Sequence, residues 1–247
     1  MKTDCREFVD ALRKVTDADA LWRVMLTFFY SRGGIRISYR HVQGDPDRDM
    51  TPTIYHDGFP DGFIRRSVAE GYHRSNPISA VALVTTEPFY WSDVETKRKL
   101  SDAELAFLDI VRTEIPGNGV VIQMFGPNSR NGTINLGFPE DFPRLEPSEL
   151  GELQLVGQAA HLAYCRLVPP EEQEAHRLTA REVEILEWIA QGKSNSVIAD
   201  ILGISVHTVD THIRRIFKKL RVHDRTTAAV KGLGAGLVQN ATSGWGP

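Results

Sequence analysis

The feature that most constrains this chain is the punctuation between Leu178 and Val238, where capping residues and glycines recur at the spacing of short helices and tight turns. Thr179-Ala180-Arg181-Glu182 has the form of a capping box, in which the Thr hydroxyl and the Glu carboxylate satisfy amides that a first helical turn leaves free. Val183, Leu186, Ile189 and Ala190 give the helix that follows an apolar stripe, and Gly192 stands where a left-handed residue would end it. Ser194 or Asn195 can cap a second short helix whose core face is Val197, Ile198, Ile201 and Leu202. Gly203 permits a tight turn before Ser205 caps a third helix, so the pattern predicts helix, turn, helix.

On that third helix, Val206, Val209, Ile213, Ile216 and Leu220 project to one side at about 100° per residue. His207, Thr211, Arg214 and Lys218 fall on the other as a polar and cationic stripe. A solvated surface helix would also look amphipathic, but Arg214, Arg215, Lys218, Lys219 and Arg221 are concentrated here with no carboxylate among them. Between Lys193 and Lys231 eight Lys or Arg stand against Asp200, Asp210 and Asp224, in a chain whose formal charge is -3. A local cationic excess in an acidic chain, centred on the helix that such a motif inserts into the major groove, points to docking on double-stranded DNA.

Leu178 to Leu186, Gly192-Lys193-Ser194, Ile198-Ala199, Ile204-Ser205, Thr208-Val209, His212, Lys219-Leu220 and Arg225 together resemble the LuxR-type helix-turn-helix. The resemblance implies an all-α tetrahelical domain of transcription regulators, with a fourth helix from Thr226 to Leu237 that helps DNA-bound dimers form. By the same resemblance Asp210, Thr211 and Arg214 occupy base-reading positions, Arg214 being expected to pair with a guanine edge. Lys193, Thr208, Arg215, Lys218 and Lys219 are expected to hold phosphates, and Ser194 and Asn195 complete the candidate DNA-binding set.

A chain of 247 residues with 41% hydrophobic composition can fill two cores. Apolar positions Phe8, Leu12, Leu21, Val24, Leu26 and Phe29 predict two helices before Gly33-Gly34, and Ile35 to Val42 alternates like a strand, with a loop from Gly44 to Pro52. Val120 to Phe125 and Thr133 to Phe138 flank a turn segment starting at Gly126-Pro127, a hairpin candidate, and Pro147 to Leu167 returns to helical spacing. Pro169 to Arg177 is proline- and glutamate-rich and reads as a linker. The expected division is thus 1–168, a linker at 169–177, and 178–247. The expected fold class is α+β: an N-terminal α/β/α sandwich with a central antiparallel sheet, then the tetrahelical domain.

The stretch Phe63 to Trp91, with Gly71-Tyr72, Asn76-Pro77 and Pro88-Phe89-Tyr90-Trp91, and then Gly119, resembles the autoinducer-binding domain of quorum-sensing LuxR regulators. That resemblance implies a five-stranded sheet between helices enclosing an acyl-homoserine lactone. Where the family usually places Trp, Tyr and Asp, this chain has Phe63, Ser67 and Asn76, which removes an indole donor, a phenol and a carboxylate acceptor. An altered ligand, weak lactone binding or no ligand would follow, as in an atypical or orphan (solo) member. The candidate ligand-binding set is Tyr55, Phe59, Phe63, Ser67, Asn76, Trp91 and Asn135. Tyr55, Phe59, Tyr72 and Trp91 read equally well as core aromatics, and Asn135 as a turn-side surface residue.

Enzymatic chemistry has no constellation to stand on. His161 and Cys165 lie at i, i+4 spacing, a weak metal signal better explained as a packed helix face, and no His-Glu-x-x-His or Gly-x-Ser-x-Gly occurs. Two distant cysteines, Cys5 and Cys165, offer no disulfide framework, and the apolar stretch Ala20 to Tyr30 is short and interrupted by Arg23. The expectation is a cytoplasmic, non-enzymatic homodimer without metal or membrane partner, which reads a two-fold symmetric operator and responds to a small-molecule signal. The alternative keeps the DNA module and makes the N-terminal domain a ligand-independent dimerisation or protein-interaction scaffold.

Overall fold

The computed structural model describes residues 3–42, 53–72, 76–127, 130–168 and 178–238. The described residues up to Val168, Pro127 apart, form one compact unit, and those from 178 onward belong to a second. The expected linker at 169–177, the loop at 44–52 and the hairpin tip at 128–129 lie outside the described residues.

In the first unit, α1 (Cys5–Leu12) buries Phe8 and Leu12, and α2 (Ala18–Ser31) buries Leu21, Met25, Phe28 and Phe29. Asp17 caps α2, its carboxylate accepting from the Ala20 amide at 2.7 Å. Then come β1 (Arg36–Val42), β2 (Thr53–Asp57), α3 (Phe63–Ala69), α4 (Pro77–Ala82), β3 (Phe89–Tyr90), a 3-10 turn at Trp91–Asp93, α5 (Val94–Lys97) and α6 (Asp102–Glu114). The hairpin β4 (Asn118–Met124) and β5 (Asn131–Phe138) and the long helix α7 (Pro147–Leu167) complete the unit. Pro147 sits in the first turn of α7, where a missing amide costs nothing.

The five strands form one antiparallel sheet in the order β2-β1-β5-β4-β3. Side chains alternate between its faces. Ile37, Tyr39, Ile122, Ile134 and Leu136 pack with α1, α2 and α7 in one core. Phe89 and Val121 point the other way, into a second core with Phe63, Ile78, Trp91 and Phe107. Helices therefore cover both faces, which is the expected sandwich.

The second unit contains α8 (Ala180–Ala190), α9 (Asn195–Leu202), α10 (Val206–Leu220) and α11 (Arg225–Gly234) around a core of Ile185, Leu186, Ile198, Val209, Ile213, Ile216 and Leu220. Both halves of the capping box form, with the Glu182 amide on the Thr179 hydroxyl and the Thr179 amide on the Glu182 carboxylate. Gly192 and Gly203 hold positive φ of 77° and 62°, as the tight turns require. Ser194 caps α9 and Ser205 caps α10. Three expected core residues are instead exposed: Val197 and Ile201 share the outer side of α9, and Val206 stands at the first position of α10, where the helix end is open. The fourth helix starts one residue early, capped by Asp224, and ends at Gly234.

Candidate functional site

The outward side of α10 carries the chemistry of the second unit. Arg214, Arg215 and Lys218 are exposed, and no hydrogen bond or ion pair ties them to another described residue. Thr208 and Ser205 share a hydroxyl contact at 2.8 Å in the first turn, and the Thr211 hydroxyl donates to the His207 carbonyl at 3.0 Å. The helix thus presents a row of unneutralised cations on a rigid rod, the arrangement that phosphates and guanine edges accept. His207 is also exposed on this side and was absent from the candidate set. Its place in the polar stripe was the available signal.

Other candidates are occupied within the protein. Asn195 donates to the Asp210 carboxylate at 2.6 Å and accepts from the Arg225 guanidinium at 2.8 Å, so its amide ties α9 to α10 and α11. Arg225 also donates to the Lys193 carbonyl. Asn195 and Asp210 are therefore struts that set the pose of α10, and Lys193 contributes its backbone to the same network. Lys219, expected to hold a phosphate, meets a carboxylate of its own domain. Its ammonium lies 2.5 Å from Glu182, a carboxylate only 2% exposed, so its charge is turned toward α8. Burial works to raise the pKa of Glu182, but hydrogen bonds from Lys219 and Thr179 outweigh it and hold the carboxyl below its ordinary range.

In the first unit the sheet face toward α3 and α4 gathers most of the candidate ligand residues. Phe59 stacks on Phe63 with ring centroids 6.4 Å apart, and Phe63 and Trp91 are buried in one cluster. The Trp91 indole lies over Gly119 and Gly137, two glycines paired across β4 and β5. Asn135 is on this face, not at the turn, and its amide donates to the Ser38 hydroxyl at 3.3 Å. Trp91 Nε1 is buried and has no partner.

Three expectations change. Tyr55 lies on the opposite face of the sheet, in register with Tyr39, and packs against Trp22, Tyr39 and Tyr164. Strand alternation places it there, away from Phe63 and Trp91. The Asn76 side-chain oxygen caps α4, accepting from Ile78 at 3.0 Å and Ser79 at 3.2 Å, and so leaves only its NH2 to offer. The Ser67 hydroxyl donates to the Phe63 carbonyl at 2.8 Å within α3. Sequence reading also passed over Ser38, Arg40, Thr133 and Gln123, which share the face with Asn135. Polar residues alternating on central strands covered from both sides were the signal, because such strands are ordinarily apolar on both.

On the other face, His161 is fully buried. Its Nε2 faces the Arg130 carbonyl at 2.7 Å, an acceptor only, so Nε2 carries the proton and Nδ1 accepts from the Tyr39 hydroxyl at 2.9 Å. Cys165 sits 3.7 Å away in the same packed helix face. Among the described residues there is no group of three or more potential metal ligands, and no helix is long and apolar enough to cross a membrane.

These two arrangements coincide with two family models. Residues 17–164 match the autoinducer binding domain, and residues 176–231 match the luxR family of bacterial regulatory proteins. The chain is 32% identical over 236 residues to the quorum sensing-dependent transcriptional regulator RpaR of Rhodopseudomonas palustris, covering 94% of each. It is 26% identical to the transcriptional activator AhyR of Aeromonas hydrophila, covering 94% of this chain and 91% of AhyR. The crystal structure of Escherichia coli SdiA shares the fold at a TM-score of 0.77 and 20% identity, covering 94% of this chain and 97% of SdiA. A sheet that buries aromatic and polar groups under helices, joined in one chain to a cation-faced recognition helix, makes this protein a member of the LuxR family of quorum-sensing transcription regulators, with an autoinducer-binding domain and a DNA-binding helix-turn-helix.

Proposed function

We propose that this regulator works as a cytoplasmic homodimer without enzymatic activity, in which residues 1–168 sense a small molecule, 169–177 link, and 178–247 read a two-fold symmetric operator. The observation that carries the reading is the free cationic row of Arg214, Arg215 and Lys218 on α10. Arg214 reads a base, Thr208, Arg215 and Lys218 hold phosphates, and Thr211 and Ser194 flank them. Dimerisation is supported by exposed apolar residues on α7, where Leu155 is 75% exposed and Leu162, two turns on, 48%. Two recognition helices would then meet half-sites about one DNA turn apart.

The test is DNA binding by the Arg214→Ala and Lys218→Ala proteins across a salt series. Arg214→Ala should lose about 1–3 kcal/mol of discrimination at one base pair. Lys218→Ala should weaken all sequences alike and reduce the slope of log K against log salt by about 0.9. An Arg214→Ala protein with full site discrimination would sink the assignment.

A second reading, the ligand-independent scaffold, draws support from the internal engagement of Asn76 and Ser67. Native mass spectrometry of the purified chain separates the two, since a retained small molecule is compatible only with a sensor.

A further inference from the structure

The face of the sheet beneath α3 and α4 carries a run of polar side chains on its central strands. Register places Arg40 beside Thr133 and Thr133 beside Gln123, one row across three strands. Two residues along is the row of Ser38, Asn135 and Val121, and two further that of Arg36, Gly137 and Gly119, over which Trp91 lies. The Arg40 row and the Trp91 row are thus four residues apart, roughly 13 Å at strand rise.

Both ends hold buried polar atoms without partners. Gln123 is 6% exposed and its Oε1 accepts nothing, Trp91 is 9% exposed and its Nε1 donates to nothing, and Arg40 Nε is likewise buried and unpaired. Among the described residues no ion pair reaches Arg40, and this face of β1, β4 and β5 carries no Asp or Glu. Burial pushes the guanidinium pKa down. Withdrawing a cation from water costs free energy unless an anion faces it, and unpaired buried polar groups are rare enough in folded proteins to require a cause.

We propose that the signal molecule ends in a carboxylate received by Arg40 and Gln123, while its apolar body runs along the sheet toward Phe63 and Trp91. This rests on the reading of the N-terminal domain as a small-molecule sensor. A carboxylate accepts two parallel N–H bonds from a guanidinium, and a half-turn of the Gln123 amide in the same row turns its Nε2 to donate where Oε1 now stands unpaired. The indole N–H at the far end suits an oxygen acceptor on the ligand. The class is an amphipathic acid about as long as a medium acyl chain, where a neutral lactone with an alkyl tail would leave Arg40 facing hydrocarbon.

The experiment is calorimetric titration of the full chain with decanoate, decanamide and N-decanoyl-homoserine lactone. Decanoate is expected to bind at least ten-fold more tightly than decanamide. R40M should abolish that preference while decanamide binding persists, R40K should retain part of it, and Q123L should weaken decanoate alone. R40M should also raise the melting temperature of the ligand-free protein, because it removes a partly desolvated charge. Equal binding of acid and amide, or a preference that survives R40M, overturns the proposal. Should R40M fail to fold, R40K and Q123L binding decanoate as tightly as the parent protein would overturn it equally. Lactone binding without decanoate binding overturns the anionic end group and leaves the sensor reading standing. No binding by any of the three, with no retained molecule by native mass spectrometry, overturns both.

Discussion

The indole of Trp91 rests on Gly119 so closely that a β-carbon built there would stand 2.3 Å from Cε2. The glycine is thus a requirement of the aromatic ring above it, and the ring roofs the glycine end of the polar sheet face. Gly137, next to it across the hairpin, would place a β-carbon 3.3 Å from the same ring.

Gly119→Ala should therefore displace the indole and destabilise the N-terminal unit by about 1–3 kcal/mol, the usual cost of overpacking. In a Trp91→Ala background the same substitution should be nearly neutral. Urea unfolding of the four proteins measures this coupling, and equal costs in both backgrounds would show that the glycine serves something other than the ring.

Lys219→Met leaves the Glu182 carboxylate buried without its cation. Breaking a buried pair from one side costs about 3–5 kcal/mol, and because Lys219 keeps part of its surface in water the expected loss is about 2 kcal/mol. The double variant with Glu182→Gln should recover part of it. Since the folded-state pKa of Glu182 is lowered, the pair's contribution is present above the ordinary carboxylate pKa and disappears as pH falls through the folded value. Thermal melts of the three proteins from pH 7 to pH 3 should converge at the acid end.

His41 gives the N-terminal unit an acid sensitivity of its own. Burial, with the charges of Arg130 and His161 adding to it, pushes its pKa down to about 4. Unfolding returns the ring to its ordinary value near 6.5, so between those values the unfolded chain binds the extra proton. Stability should fall as pH drops from about 6.5 to about 4 and gain no further slope from this residue below that. His161, lowered by burial, acts in the same direction. His41→Gln should flatten the profile in that window, and an unchanged slope in equilibrium unfolding would assign the acid sensitivity elsewhere.

Much of this architecture was legible in the residues alone because its causes are local. Thr179 with Glu182, Ser194, Ser205, Gly192 and Gly203 set helix ends through bonds and dihedrals spanning a few positions, and the stripe through Val209, Ile213, Ile216 and Leu220 follows from helical period. The exposed cations of α10 were legible for the same reason. What the residues alone could not decide was which long-range partner each ambiguous side chain would meet. Tyr55 is aromatic on either face of the sheet, and only its register with Tyr39 sends it away from Trp91. Lys219 is one more cation in its run until α8 folds back and sets Glu182 beside it. Asn76 is a polar candidate until its oxygen is claimed by the start of α4. Arg40 and Gln123 are separated by 83 positions in the chain and share a row only because β5 lies between their strands. Helix ends are set by neighbours in sequence, whereas the composition of a buried site is set by strand order and register, which the packing of the whole domain determines.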